Sequence, residues 1–227
     1  MKRLVLFVEG AGDKLAVPAL VKRLLTDLDA WECLFLDPNP FVVGNVNQLA
    51  KNNYEKWLRW LGAAAKRGDI GAVLLVLDGD IRNIQGETFC AAQVARKLAE
   101  ESAKARGGDL FSVAIVFACQ EYESWLIAGV ESLAGKTLKD GRPGVQSGTE
   151  PPDKDKDIEL SPRDAKGWLG KVMEAGYNPV KDQAPLTEMV DWELVRNRPM
   201  RSFRRLENAI SQIVSAIRDE SPLRSPT

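Results

Sequence analysis

The sequence contains no histidine. That absence removes the Ser-His-Asp and Cys-His triads, histidine general bases and histidine metal ligands in one step. Any chemistry must then run on carboxylates, amines, guanidinium groups or a metal that they hold. Cysteine is scarce as well: Cys33, Cys90 and Cys119 are far apart and form no CxxC pair. Neither a disulfide framework nor a thiolate zinc site is expected, and a reducing compartment fits best. Cys33 and Cys119 lie in apolar runs and read as buried thiols. There is no excess of charge of one sign, with 31 Lys+Arg against 32 Asp+Glu. The lopsided basic balance of a dedicated nucleic-acid binder is therefore missing, although local charge stays open. Long apolar runs are also missing, since a membrane span takes about 20 such residues. The N-terminal run in MKRLVLFVEG is too short for a secretory signal and ends at a carboxylate, so a strand, a cytoplasmic location and no membrane partner are expected.

What is present is enough for a real core: 227 residues, 44% of them hydrophobic, or one large domain with room for an annex. Residues 3–8 are a near-continuous apolar run ending at Glu9-Gly10, as in a buried parallel strand. Leu20, Leu24 and Leu28 set a helix face over residues 14–28. A short strand over 32–36 and a helix over 47–67 follow. AVLLVL at 72–77 is the clearest strand, with Asp78-Gly79-Asp80 at its end. A helix over 88–106, a strand over 112–118 and a short helix over 121–128 complete the alternation. This rhythm predicts an α/β fold with about four mainly parallel strands flanked by helices. Residues 135–161, which include PPDKDKD, read as an exposed loop. Helices are expected over 162–175, 186–195 and 202–219, forming an annex (162–221) packed on the core (1–134). The tail SPLRSPT reads as frayed.

In open parallel sheets ligands gather beyond the carboxyl ends of the strands. Glu9, Asp78, Asp80 and Glu121 all fall there. Carboxylates without histidine suit Mg²⁺ or Mn²⁺ rather than Zn²⁺, so Glu9, Asp78 and Asp80 are the expected metal ligands. Each motif taken alone also reads as a solvated strand-end cap. Glu121 and Glu123, flanking Tyr122 in CQEYESW, either complete the site or only favour a helix start. GAGDK at 10–14 is not a phosphate loop of the GxxxxGK[ST] kind and reads as a helix entry with Asp13 near the cap. Arg196, Arg198, Arg201, Arg204 and Arg205 form a basic cluster near the start of the last helix. Guanidinium groups suit phosphate, and Arg201, Arg204 and Arg205 are expected to hold substrate phosphate. The bland alternative is ion pairing within the protein.

A Glu ending the first strand and a DxD ending the third resemble the Toprim signature of topoisomerases, primases and the overcoming-lysogenization-defect nucleases. Over most of the chain, VEGAGD, QEYESWLIAG, KGWL, DQAPLTEMVDWE and RSFRRL are similar to the bacterial domain-of-unknown-function family 4276, regarded as Toprim-like and often found near ATPases or in defence loci. The resemblance implies metal-binding roles for Glu9, Asp78 and Asp80, and places Glu121 and Glu123 in the site. Asp13 stands where many relatives carry Glu, and Gln120 where they carry His, so a histidine proton shuttle is not transferable. The function that the resemblance implies is a Mg²⁺- or Mn²⁺-dependent nuclease or phosphodiesterase acting on nucleic acid, in a bacterial defence setting. The rival is a non-catalytic binding or regulatory module partnering an ATPase. A haloacid-dehalogenase-like phosphatase ranks last, because its DxD follows the first strand and continues DxDx[TV], whereas this one continues Ile81-Arg82.

Overall fold

The computed structural model describes residues 1–152 and 157–226. In chain order its elements are β1 (Lys2–Val8), α1 (Asp13–Asp27), β2 (Leu34–Leu36), β3 (Phe41–Val42), α2 (Val46–Ala65), β4 (Ile70–Asp78), β5 (Asn83–Ile84), β6 (Glu87–Thr88), α3 (Ala91–Glu101), β7 (Ser112–Ala118), α4 (Glu123–Ala128), α5 (Ala165–Val172), α6 (Pro179–Met189), α7 (Trp192–Arg196), α8 (Arg201–Arg218) and β8 (Arg224–Ser225). The main sheet runs β2-β1-β4-β7-β8, with β3 pairing the far half of β1, and every pairing in it is parallel. The expected α/β architecture is the observed one.

The three central strands are apolar throughout because both faces are covered, and the side-chain period of two divides them between two cores. Leu4, Leu6 and Val8 of β1, Ala72, Leu74 and Val76 of β4, and Ala114, Val116 and Ala118 of β7 pack with α1, α8 and the helices after β7. Val5, Phe7, Val73, Leu75, Leu77, Val113, Ile115 and Phe117 pack against α2 and α3 on the opposite face. Continuing the first series by two places puts Asp78 on the face shared with the C-terminal helices. That is how those helices come to contribute to the strand-end site.

Several expectations need correction. The four expected strands are present, and among the described residues the two-residue Phe41–Val42 and Arg224–Ser225 add short parallel neighbours that make six. The tail was expected to fray, yet the Val113 N–H donates to the Leu223 carbonyl at 2.8 Å and Ser225 Oγ donates to Gln212. Backbone pairing along an open strand edge outweighs a composition that favours disorder. The described residues of 135–161 carry no helix or strand but are not wholly exposed: Leu138, Val145, Ile158 and Glu159 are buried, and Val145 bridges to Ala134 and Met173. Residues 153–156 of that expected loop lie outside the described residues. The single helix expected over 186–195 is two, α6 and α7, broken where Asp191 caps the second through Glu193 N–H. α2 is interrupted at Lys51–Tyr54, with Asn52, Asn53 and Tyr54 in the left-handed region. Cys33 and Cys119 are half-buried rather than buried, and Cys90 is exposed.

Candidate metal centre

β1, β4 and β7 are adjacent and in register, with Val8 beside Val76 and Asp78 beside Ala118. Their carboxyl ends therefore deliver Glu9, Asp78 and the turn 119–123 to one place. Hydrogen bonds fix the junction. Glu9 Oε2 accepts from the Asp78 N–H at 3.2 Å, and Asp78 Oδ1 accepts from the Tyr122 N–H at 2.9 Å. The Gly79 N–H donates to the Gln120 carbonyl at 2.9 Å. A Cβ on Gly79 would stand 2.8 Å from the Ala118 carbonyl oxygen, so a side chain there would push the two strand ends apart.

One carboxylate oxygen from each of Asp78, Glu121 and Glu123 lies within 4.8 Å of the others. A lysine that the sequence did not mark sits against all three. Lys166 Nζ is 3.0 Å from Asp78 Oδ2, 2.9 Å from Glu121 Oε1 and 3.7 Å from Glu123 Oε2. It reaches them because it is the second residue of α5, which Asp164 caps by accepting from the Gly167 N–H. The Lys166 N–H itself donates to Glu121 Oε2 at 3.1 Å. Glu123 is completely buried; the Tyr177 hydroxyl donates to its Oε1 at 2.8 Å, and among the described residues its Oε2 has no hydrogen-bond partner. Asp13 stands behind Glu9, accepting from the Gly10 N–H at 2.9 Å and the Gln183 side chain at 2.8 Å. Gly12 allows that approach, because a Cβ there would overlap Gln183 Oε1.

Electrostatics follow from burial and crowding. Burial first and the Asp78 charge second push Glu9 up to about 7. Burial, with the Asp13 charge, raises Asp78 to about 6 against the opposing pull of Lys166. Burial raises Glu123 to about 7, opposed by Lys166 and aided by Asp78. Burial works against the charge on Lys166, but Asp78 and Glu123 more than offset it, and the ammonium is held above the ordinary lysine value. Tyr177 is raised by burial and then by the Glu123 charge, so it stays a hydrogen-bond donor. The centre is an underneutralised anionic pocket, with one ammonium shared among three carboxylates.

Of the residues expected from sequence, Glu9 meets Asp78 directly. Asp80 is exposed, and its charge is felt at Glu9, but it is not part of the close triad. Glu121 and Glu123, which from sequence read either as part of the site or as a helix start, lie in that triad. Arg201 pairs with Asp157 at 2.9 Å and Glu159 at 4.0 Å, Arg204 is exposed and donates to the Arg198 carbonyl, and Arg205 donates to Ser225 Oγ at 2.8 Å. Arg196 and Arg198 are absorbed in ion pairs, Arg196 with Asp27, Glu193 and Glu207, and Arg198 with Glu131. Lys166 and Tyr177 were missed. KGWL was the only signal for the lysine, and nothing in its spacing from Asp78 or Glu121 points to a shared site.

The donor set fits a hard divalent cation: oxygens only, three of them converging, and one buried carboxylate oxygen without a hydrogen-bond partner among the described residues. Among the described residues no helix is long and apolar enough to cross a membrane. No curated protein and no solved structure matches the chain. A family model described as Domain of unknown function (DUF4276) matches residues 8–211. The chain belongs to the DUF4276 family.

Proposed function

We propose that the protein is a Toprim-like, Mg²⁺- or Mn²⁺-dependent phosphodiesterase acting on nucleic acid. The observation that carries this reading is the convergence of Asp78, Glu121 and Glu123 at the carboxyl ends of adjacent parallel strands, with a buried Glu123 oxygen that has no hydrogen-bond partner among the described residues and only the Lys166 ammonium at 3.7 Å. Asp78, Glu121 and Glu123 would hold the cation, with Glu9 and Asp80 completing its surroundings. A bound cation would supply polarisation of a phosphoryl oxygen and a more acidic bound water. The chain's own groups do the rest. Glu9, whose pKa stands near 7, suits proton acceptance at neutral pH. Lys166, pinned by Glu121, has its ammonium placed to neutralise a phosphate oxygen entering the centre. Tyr177 keeps the Glu123 carboxylate oriented. Arg204 and Arg205 supply positive charge for substrate phosphate, which the acids would otherwise repel, while Arg201 is already neutralised by Asp157 and Glu159.

The test is cleavage of single- and double-stranded DNA and RNA with Mg²⁺, with Mn²⁺ and with EDTA. Wild type is expected to cut only with metal, and Asp78→Asn and Glu123→Gln to lose about 10²-fold or more. Cleavage by the variants at the wild-type rate would overturn the reading. A second reading has its own support: Lys166 already fills the space between the acids, as in a regulatory module docked on a partner such as an ATPase. It predicts metal binding without turnover on any of these substrates.

A further inference from the structure

A second concavity adjoins the acidic centre across the end of β7. It encloses about 460 Å³ between α3 and α8. β8 pairs only with Val113 and Ala114, so among the described residues the outer edge of β7 from Ile115 onward has no strand neighbour. One wall is apolar, built from the small side chains of Ala91, Ala92 and Ala95 with Ile115 and Phe117. The other carries Arg201 and Arg205. The cavity shares two turns with the acidic centre, since Gly79 follows Asp78 and Gln120 precedes Glu121, and both border it.

Two of its polar groups lack the partners their burial calls for. Arg205 is half-buried; its guanidinium donates to Ser225 Oγ at 2.8 Å and weakly to the Ile115 carbonyl at 3.4 Å. No carboxylate pairs with it among the described residues, and burial alone lowers its pKa, with no acid opposing the effect. Arg201 differs, because Asp157 and Glu159 already neutralise it. A partly desolvated guanidinium without a counter-charge is an anchor for an external anion. Gln120 is the second group. Among the described residues its Oε1 is buried without a hydrogen-bond partner, and its amide reaches only the Leu160 carbonyl at 3.4 Å. Its backbone is held at φ 63°, a left-handed conformation costly for a side-chain-bearing residue and often found at binding sites.

These features ask for an anion at Arg205 and a flat, largely apolar body along the alanine wall. We propose that the cavity binds a nucleoside phosphate unit. Its phosphate lies on Arg205 and its base lies along the alanine wall of α3. The claim that this unit belongs to the strand cut at the acidic centre rests on the phosphodiesterase reading; the binding itself does not.

The experiment is calorimetric titration of the full chain in EDTA with AMP, adenosine, inorganic phosphate, and a short single strand bearing a 5′-phosphate. AMP or the strand is expected to bind, with adenosine and phosphate each about tenfold weaker or more, as loss of one charge-assisted contact or of the apolar body implies. AMP binding as well as the strand would mean a free nucleotide suffices; preference for the strand would assign the unit to a polymer. Either supports the proposal. Arg205→Met and Ala92→Phe should each weaken binding about tenfold or more. Ala92 is exposed, so the phenyl ring enters from the rim without loading the core. No binding by AMP or the strand, phosphate matching AMP, or unchanged affinity in both variants would overturn it. Loss of cleavage in Asp78→Asn with AMP affinity intact would separate this site from the acidic centre, and a chain that binds AMP but never cleaves would sink the hydrolase reading alone.

Discussion

Replacing Lys166 by Met tests the electrostatic account of the centre. The ammonium stands 3.0, 2.9 and 3.7 Å from oxygens of Asp78, Glu121 and Glu123. Removing one member of a buried ion pair costs about 3–5 kcal/mol. Lys166 is 37% exposed, so water screens part of this, and a loss of about 2–3 kcal/mol is expected. At this chain length that lowers Tm by about 5–10 °C. The defect should depend on pH. Glu123 and Asp78 take up protons near 7 and 6 once folded, so toward about pH 5 both become neutral and the missing ammonium matters less. It should also depend on metal. A cation in excess at 100 times its Kd adds about 2.7 kcal/mol, and in the variant it displaces no ammonium, so Mg²⁺ should raise Tm more than in wild type. The assay is thermal unfolding across pH, in EDTA and in Mg²⁺. An unchanged Tm in EDTA at about pH 8, where the acids are ionised, or an equal Mg²⁺ increment in both proteins, would refute the reasoning.

Further outcomes follow from the same geometry. Glu9, Asp78 and Glu123 have folded pKa values above their ordinary ones. Their contribution to stability is therefore complete below the ordinary carboxylate range and lost as pH rises through about 6–7; metal-free wild type should lose Tm over that window and Mg²⁺ should flatten the loss, which a pH series of melts will show. Tyr177→Phe removes the donor to Glu123 Oε1 and should cost about 1–2 kcal/mol in urea unfolding, with no cost expected if Glu123 does not rely on that bond. Glu159 is buried and accepts from the Arg201 and Ser202 N–H groups at 2.8 and 2.7 Å, capping α8. Glu159→Ala should therefore cost about 2 kcal/mol by denaturant unfolding, and a wild-type midpoint would remove Glu159 from that role.

The sheet was legible because its central strands are buried on both faces, which leaves nearly unbroken apolar runs at 3–8, 72–77 and 112–118. The peripheral pairs were not. Phe41–Val42 and Arg224–Ser225 are two residues each, too short for any periodicity to register, and their strand character comes from the edge they meet. The acids were legible because strand ends in a parallel sheet share one side of the molecule. Their closest grouping was only partly so: Gly79 lets the chain turn after Asp78, leaving Asp80 exposed, while the 120–122 turn brings Glu121 and Glu123 inward. Lys166 lies 88 positions from Asp78, and only tertiary packing of α5 on α4 unites them. The buried Glu159 cap of α8 was hidden for the same reason, since it lies 42 positions from the N–H groups of Arg201.

Calorimetric titration of Mg²⁺ and Mn²⁺ into the metal-free chain tests the central claim most directly. Wild type should show saturable binding at neutral pH, weakened about tenfold or more in Asp78→Asn and in Glu123→Gln, as removal of one carboxylate ligand from a convergent set requires. Equal affinity in wild type and both variants, or no binding by wild type at millimolar metal, would contradict a cation site at Asp78, Glu121 and Glu123.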